Sequence, residues 1–287
     1  MDYPDISTYP STYPALGCHL TISAGFKALG EQALAIKATT AAFFTRNPRG
    51  GTMRALDIAD IEALNDICKR YSFAPLVAHA PYVYNLASNT ADKREFARTA
   101  MREDLERLEL LPGNYYNFHP GSHVKQGVDT GIELIAEGLN EIIVAGQKTT
   151  VLLETMAGKG TEIGRSFEEI ARILDKVNHP EHVGVCLDTC HVSDGGYDIV
   201  DNLGSVLDEF EHIIGIEKLK ALHINDSKNP RGSHKDRHEK IGEGTLGVAT
   251  FAHILQEPRT QRLPMILETP NDIDGYAREI ALLRSTL

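Results

Sequence analysis

The chain has 287 residues, 42% of them hydrophobic, and a formal net charge of −11. This suffices for one full-sized core, and a single α/β barrel typically has about 250 residues. No apolar run approaches the roughly 20 residues of a membrane span, and the N-terminus has neither the basic start nor the apolar core of a secretory signal. Four cysteines without a CxxC pair are typical of a reduced cytoplasmic protein.

The first 14 residues differ in composition from the rest of the chain. The tetrapeptide STYP occurs twice between Ser7 and Pro14, and a stretch rich in proline, serine and tyrosine is typical of an extended arm rather than of packed structure. Apolar runs that alternate with helical patterns begin at Ala15 and continue without a linker. We therefore predict an extended arm over residues 1–14 and one domain over residues 15–287.

Eight short apolar runs follow, each ending in polar residues. Helical patterns separate them: residues 91–111 place apolar side chains three and four apart, and residues 166–177 open with a capping box of Ser166 and Glu169. Eight alternating units favour a parallel (β/α)8 TIM barrel; a doubly wound open sheet is the alternative, but no GxGxxG follows the first strand. The predicted strands are residues 16–23, 41–45, 75–82, 115–122, 150–156, 183–189, 220–226 and 264–270.

Histidine or carboxylate residues stand at the ends of six consecutive predicted strands, the third to the eighth. A barrel carries its chemistry at the carboxyl ends of its strands, so these side chains converge on one mouth. Buried carboxylates need partners or metal ions, and three carboxylates with three imidazoles imply more than one divalent ion, because one ion takes about four to six ligands. The six residues are His79, His119, Glu154, Asp188, His223 and Glu268.

Three further residues extend this set. His191 lies just past the end of the sixth strand. Asp236 and His238 share one side of the chain if their segment is extended, and with His191 they offer one more mixed nitrogen and oxygen site. His19 and His123 also lie near the predicted mouth, either as groups that support the ligands or as structural residues.

The cysteines near this site are not predicted to bind metal. Cys186 and Cys190 stand close to the candidate ligands, but no soft ligand elsewhere matches them, since Cys18 and Cys68 lie in unrelated settings. We interpret Cys186 and Cys190 as small packing residues. Asp194 has no comparable partner and is interpreted as a loop or turn residue.

The net charge alone counts against a nucleic-acid partner, which usually binds a basic surface. Two features weaken this objection. Some of the acids are candidate metal ligands, and bound divalent cations would reverse their local field. Basic residues also cluster in one short segment, which is either a solvated loop or a phosphate-binding surface: Lys228, Arg231, Lys235, Arg237 and Lys240.

Five stretches of the sequence resemble the endonuclease IV family of abasic-site DNA endonucleases. The resemblance covers almost the whole chain after about Leu16, and the family fold is the barrel predicted above. The stretch HINDSKNPRGSHKDRHEKIGEG (residues 223–244) is highly specific, whereas the short stretches carry weight only together. The short stretches are NFHPGSH (117–123), LETMAGKGTEIG (153–164), GVCLDTCH (184–191) and ILETP (266–270).

The resemblance implies three zinc ions per chain and nine ligands, all of which are present. Imidazole and carboxylate ligands also suit Mn²⁺ and Fe²⁺, so the metal at each site stays open. The implied ligand sets are His79, His119 and Glu154 for the first ion; Glu154, Asp188, His223 and Glu268 for the second; and His191, Asp236 and His238 for the third.

The resemblance also implies the reaction. The partner would be double-stranded DNA with an abasic site, cut 5′ to the lesion to leave a 3′-hydroxyl and a 5′-deoxyribose phosphate, and blocked 3′ ends would be removed by the same chemistry. Metal ions would activate the attacking water and stabilise the leaving oxygen. The catalytic residues would be Glu154, shared by two ions, and Glu268, which would also orient the water. We expect a monomer that acts in the cytoplasm.

Lesion recognition requires side chains that enter the helix and fill the gap of the missing base. In the family an arginine and a tyrosine do this, and Arg49 in TRNPRG and Tyr82 in HAPYVYN occupy the matching positions. Two glycines follow Arg49, which predicts a mobile loop, and the chain has no tryptophan. The basic segment would hold phosphates, so that binding would weaken with salt, through Lys228, Arg231 and Arg237.

A sugar isomerase or epimerase on a similar barrel is the competing interpretation. Such enzymes hold one divalent ion on strands five to eight, where Glu154, Asp188, His223 and Glu268 would fit. The other five ligand-type residues would then have no role. A non-catalytic binder of damaged DNA is expected to have lost ligands, and a purely structural barrel leaves the clustered carboxylates unexplained.

Overall fold

The computed structural model describes residues 3–48, 55–111 and 113–287. Within these ranges eight parallel strands alternate with helices, as the sequence predicts. A separate two-stranded hairpin is formed by β8 (Asp226–Ser227) and β9 (His238–Glu239). The eight barrel strands are β1 Ala15–Cys18, β2 Ala42–Phe44, β3 Val77–His79, β4 Tyr115–Phe118, β5 Thr150–Glu154, β6 Val183–Asp188, β7 Leu219–His223 and β10 Pro264–Leu267.

The strands lie side by side in the order β1-β10-β7-β6-β5-β4-β3-β2, and every neighbouring pair is parallel. A parallel bridge between His19 and Ala42 joins the two ends of this sheet. The chain passes so close to itself there that a Cβ atom at Gly17 would lie 2.1 Å from the carbonyl oxygen of Thr40, so glycine is needed where the barrel closes. The prediction of a single-domain (β/α)8 barrel is confirmed.

Nine α-helices surround the strands in the described part of the chain. Ser166 caps α5 as predicted, since its Oγ accepts a hydrogen bond from the Glu169 amide at 3.4 Å, but the Glu169 carboxylate binds the amides of Gly164 and Arg165 instead of closing the box. The helices are α1 Phe26–Ala35, α2 Ile58–Arg70, α3 Ala91–Leu108, α4 Val128–Ile142, α5 Phe167–Leu174, α6 Thr189–Gly195, α7 Leu203–Ile213, α8 Gly247–Gln256 and α9 Ile273–Arg284.

The N-terminal segment packs against the barrel, although the sequence predicts an extended, unpacked arm. It contains a short 3-10 turn at Ile6–Thr8. The ring of Tyr9 lies 4.9 Å from that of Tyr71 at the end of α2, and the Tyr71 hydroxyl donates a hydrogen bond to the Pro4 carbonyl at 2.6 Å. The prediction failed because it was based on the turn-forming residues of the STYP repeats. The tyrosine of the first repeat also carries a large apolar ring, and this ring packs against the barrel.

A buried ion pair fixes α3 to the end of β2. The Asp104 carboxylate is fully buried and accepts hydrogen bonds from Arg46 Nε at 2.7 Å, Thr45 Oγ1 at 2.8 Å and the Tyr116 hydroxyl at 3.0 Å. The side chain of Arg46 is only 7% exposed, and it pairs with the buried Asp104 and also with Glu103 at 2.8 Å. The network ties the end of β2 to α3.

Replacing Asp104 with alanine is expected to lower the free energy of unfolding by about 3 kcal/mol, because it removes the buried carboxylate that accepts from Arg46 and from two hydroxyls and leaves Arg46 with the half-exposed Glu103 as its carboxylate partner. Denaturant unfolding of the metal-free protein measures the change. The control is Glu95→Ala on the same helix, which breaks an exposed pair with Arg98 and should change stability little. Equal stability of the Asp104→Ala variant and the parent would contradict the structural role assigned to this pair.

Candidate metal centre

Five of the predicted site residues lie at one mouth of the barrel because side chains alternate between the two faces of a strand. Successive side chains on a strand point to opposite faces, so residues two apart both face the interior. Small and aliphatic side chains from six strands form a fully buried layer there. On five of these strands the residue two positions further along is a candidate ligand. The pairs are Val77 and His79, Leu152 and Glu154, Cys186 and Asp188, Ala221 and His223, and Ile266 and Glu268.

The first group consists of His79, His119 and Glu154, whose candidate ligand atoms all lie within 4.8 Å of one another. The Glu154 Oε2 atom lies 3.2 Å from His79 Nε2 and 3.4 Å from His119 Nε2. His79 and Glu154 are fully buried, whereas His119 is partly exposed at the rim. The group therefore opens to solvent on the side of His119.

The second group consists of Glu154, Asp188, His223 and Glu268, again within 4.8 Å. His223 Nδ1 lies 3.1 Å from Glu154 Oε1 and 3.1 Å from Glu268 Oε2. Glu154 thus turns one oxygen to each group, which is the arrangement needed for a carboxylate that two ions share.

The third group combines His191, Asp236 and His238 with Asp188. Asp236 Oδ1 lies 3.1 Å from His191 Nε2 and 3.6 Å from His238 Nε2, and Asp188 Oδ2 lies 3.7 Å from the same His238 atom. We expected Asp236 and His238 to share a side if their segment were extended. The segment is not extended, because Asp236 has a left-handed backbone with φ of 53°. The two side chains meet through this turn instead.

The ring orientation of three histidines fits metal binding. Each donates its Nδ1 hydrogen to a backbone carbonyl, which turns Nε2 toward the neighbouring carboxylates as the nitrogen that would bind an ion. His238 Nε2 and Glu268 Oε1 are also buried and have no hydrogen-bond partner among the described residues, a state that a bound cation would relieve. The three bonds run from His79 to Ala80 (2.6 Å), His191 to Thr155 (2.8 Å) and His238 to Glu268 (3.3 Å).

The crowding of charges in this buried space shifts the pKa values of its members. Burial raises the pKa of Glu154, but neighbouring imidazoles, first that of His223, outweigh it and hold this pKa well below its ordinary value. Burial lowers the pKa of His191, whereas Asp188 and Asp236 raise it, and the net result is a pKa well above the ordinary value. Both directions favour a charged Glu154 carboxylate beside a charged His191 imidazole, and a bound cation would take the place of that imidazole charge.

Two asparagines that the sequence analysis did not single out orient the candidate ligands. Asn117 Nδ2 donates a hydrogen bond to Glu154 Oε2 at 2.5 Å. Asn225 Nδ2 donates to Asp188 Oδ2 at 2.7 Å, while its Oδ1 accepts from the Glu268 amide at 2.8 Å. Both lie in the stretches quoted above, and the signal that could have found them is their position beside ligands on the same strand ends.

Asp194 is a second omission, and its interpretation as a loop or turn residue was wrong. It lies in α6, is fully buried, and accepts hydrogen bonds from Ser227 Oγ at 2.8 Å and from the Asp236 amide at 2.9 Å. The prediction failed because a short helix follows β6 directly, where a glycine-rich stretch favours a loop.

Cys186 and Cys190 are buried and free, in line with the packing interpretation. Neither Cys186 nor Cys190 belongs to a group of potential ligands in the part of the chain that the structure describes. Burial raises the pKa of the Cys186 thiol to about 11 and that of Cys190 to about 12. Both side chains therefore stay protonated at neutral pH, and a protonated thiol is a poor metal ligand.

His19 and His123 contact different parts of the mouth. The ring of His19 packs 4.2 Å from that of Phe44 and 6.1 Å from that of His79, and burial lowers its pKa to about 4. His123 Nδ1 accepts a hydrogen bond from the Gly127 amide at 3.1 Å, which closes the loop after β4. His19 thus packs beside the ligands, and His123 is a loop-forming residue.

The predicted DNA contacts fall in different settings. Tyr82 is 55% exposed, and its ring lies 5.3 Å from that of His79 and 5.1 Å from that of His119, directly over the first group. Arg49 lies outside the described residues. The basic side chains are exposed but not free: Lys228 lies 3.7 Å from Glu239, Arg231 contacts Asp198, and Arg237 donates to the Asp236 carbonyl at 3.0 Å.

A family model described as xylose isomerase-like TIM barrel matches residues 31–286 of this chain. A Clostridium beijerinckii protein named probable endonuclease 4 is 54% identical over 270 residues, which cover 94% of this chain and 98% of that relative. The chain belongs to the endonuclease IV family. The crystal structure of endonuclease IV from Thermus thermophilus agrees with this: it is 31% identical, has a TM-score of 0.84, and is matched over 98% of its length by 95% of this chain.

Sugar epimerases share the barrel of this endonuclease IV family member. D-Psicose 3-epimerase from Clostridium cellulolyticum has a TM-score of 0.66, with 95% of this chain and 98% of that chain covered, but only 15% of the residues are identical. Such a likeness shows the fold alone. No helix in the described ranges is both long and apolar enough to cross a bilayer.

Proposed function

We propose that this protein is a metal-dependent DNA repair endonuclease that hydrolyses the phosphodiester 5′ to an abasic site. The products would be a 3′-hydroxyl and a 5′-deoxyribose phosphate, and the same chemistry would remove blocked 3′ ends. The observation that carries the proposal is the convergence of nine ligand-type side chains on one mouth, in a chain of the endonuclease IV family. We place the enzyme in the cytoplasm, as a monomer on double-stranded DNA.

Three zinc ions would be held in the three groups described above. When bound, they would supply Lewis acidity for attack on an anionic diester and for departure of its oxygen. Support comes from the donor set, since imidazole nitrogen and carboxylate oxygen suit zinc, while the nearby thiols stay protonated. Mn²⁺ or Fe²⁺ in some sites would be compatible with the same donors.

Glu154 and Glu268 are the proposed catalytic carboxylates. Glu154 turns one oxygen to each of the first two groups and would keep them at a fixed separation. Glu268 uses Oε2 toward His223, while its buried Oε1 has no protein partner among the described residues and would be available to orient the attacking water. Asn117 would hold the Glu154 carboxylate in place, and Asn225 would hold the backbone of Glu268 through its amide.

The exposed ring of Tyr82 supports recognition of the lesion. A half-exposed aromatic ring above the ligands can stack where a base is missing, and the adjacent Val83 is exposed to the same extent, at 54%. Arg49 is proposed to enter the DNA duplex together with Tyr82. Phosphate contacts would come from Lys228, Arg231 and Arg237.

Replacing these three cations together with glutamine is expected to weaken DNA binding and to reduce the slope of log K against log salt by up to about 3, because each phosphate contact contributes about 0.9. Titrations of a labelled abasic duplex at several salt concentrations measure the slope. An unchanged slope would show that phosphates are held elsewhere. The matched control carries the same charge change on ion-paired residues of the outer surface: Arg172, Lys176 and Arg259.

The proposed function is tested by counting metal ions per purified chain while following cleavage of a duplex with one abasic site. About three ions and a single incision 5′ to the lesion, slowly lost in chelator, are the expected results. An undamaged duplex of the same sequence is the control. One ion per chain and no incision after metal reconstitution would favour the sugar isomerase, and ketoses would then be the substrates to test.

A further inference from the structure

The segment that carries Asp236 and His238 has a strained backbone. His234 and Asp236 both adopt left-handed conformations, each with φ of 53°. Residues other than glycine adopt this conformation at a cost, so such a turn persists only where its surroundings hold it. The residues that hold this turn therefore decide where the Asp236 carboxylate lies.

One buried residue supplies most of that restraint. Asp194 Oδ2 accepts hydrogen bonds from the amides of Asp236 at 2.9 Å and Lys235 at 3.3 Å, and its Oδ1 accepts from Ser227 Oγ at 2.8 Å. The backbone carbonyl of Asp194 accepts from the His234 amide at 3.0 Å. Both the side chain and the main chain of one residue thus bind three consecutive amides of the strained turn.

The position of Asp194 on α6 links this restraint to the candidate ligands. Asp194 lies three residues after His191, so one short helix carries a ligand and also holds the backbone of another. Asp236 Oδ1 lies 3.1 Å from His191 Nε2, while its Oδ2 lies 3.4 Å from Lys159 Nζ. The backbone and both carboxylate oxygens of Asp236 are therefore fixed relative to His191.

We infer that Asp194 is a positioning residue for the third metal site, an inference that rests on the proposed function. It holds the left-handed turn that presents Asp236 to His191 and His238. Its own carboxylate has no cationic partner among the described residues, and hydrogen bonds from the turn and from Ser227 balance its burial. A side chain that served only to fill space would not need two buried oxygen acceptors here.

The direct test is amide hydrogen exchange of the metal-free protein, read for the peptide covering residues 232–238. In Asp194→Ala the exchange rate of this peptide is expected to rise about tenfold, because hydrogen bonds to a charged acceptor contribute at that order. Peptides from β5 and β6 should be unchanged. Asp194→Asn should restore protection, since its oxygen can accept both amides while its NH₂ group donates to Ser227 Oγ.

Metal content gives a second reading. After dialysis at one fixed free-zinc concentration, Asp194→Ala should lose one ion per chain and keep the others, with kcat reduced and KM nearly unchanged. The matched control is Glu109→Ala at the opposite end of the barrel, where a carboxylate binds the amides of Lys148 and Thr149. That control should keep every ion and the parent exchange rate over residues 232–238.

Unchanged exchange over residues 232–238 in Asp194→Ala would overturn the inference, as would full metal content with the parent turnover. If the alanine variant does not fold, Asp194→Leu carries the same test, because it keeps the branched shape and lacks the acceptors. If neither folds, Asp194 supports the barrel as a whole and is not a positioning residue. The exchange result needs no metal, so it stands apart from a failure of the parent protein to bind three ions or cut DNA.

Discussion

Glu154→Gln is expected to abolish incision at an abasic site, with kcat reduced by at least about 10³-fold. The glutamate turns Oε1 to His223 and Oε2 to His79 and His119, so it is the carboxylate that the first two groups of candidate ligands share. Glutamine keeps the shape but offers a single neutral oxygen. Both groups then lose negative charge, and metal content should fall by more than one ion per chain.

The measurements for this variant are single-turnover incision and elemental analysis, with thermal unfolding of the metal-free protein as the test of folding. The matched control is Glu169→Gln, which neutralises another buried glutamate near the end of β5. Glu169 binds the amides of Gly164 and Arg165, and a glutamine oxygen can accept both bonds. Turnover of Glu154→Gln within tenfold of the parent would remove Glu154 from the catalytic residues.

The sequence predicts the barrel and its ligands because both follow from local rules. All eight strands begin or end within a few residues of their predicted limits, since short apolar runs between amphipathic helices are strong signals. The period of two along a strand then places five of the candidate ligands two residues beyond a small or aliphatic residue, as in Ala221 and His223 or Leu152 and Glu154. The other four reach the same mouth from a strand end, a short helix and a left-handed turn: His119, His191, Asp236 and His238.

The residues that support the ligands escape such rules. Asn117 and Asn225 contact carboxylates on neighbouring strands, and a contact between strands depends on the stagger of the barrel, which no single segment encodes. Asp194 accepts a hydrogen bond from the Asp236 amide, which lies 42 positions later in the sequence. The left-handed residues of this turn are His234 and Asp236 rather than glycines, so the sequence does not indicate the turn. Long-range hydrogen bonds of this kind become visible only when the fold is known.

His238→Ala is expected to remove the third metal ion and to lower kcat about 10²-fold or more, while the barrel folds normally. His238 Nε2 faces Asp236 and Asp188, and among the described residues it has no hydrogen-bond partner. Its ring is partly exposed, so truncation leaves little buried cavity. Two ions should remain, because the first two groups do not include this histidine.

The control for this variant is His234→Asn, four residues earlier in the same segment. His234 binds the Ala157 carbonyl through Nδ1 and has φ of 53°, a conformation that asparagine also accepts readily. This substitution should leave three ions and near-parental turnover. Elemental analysis at a fixed free-zinc concentration, paired with incision rates, separates the two variants.

If His238→Ala kept three ions and cut at the parental rate, the third group would not be a metal site, and Asp236 and His191 would form only an ion pair. Loss of one ion with incision intact would instead confine catalysis to the two groups that share Glu154.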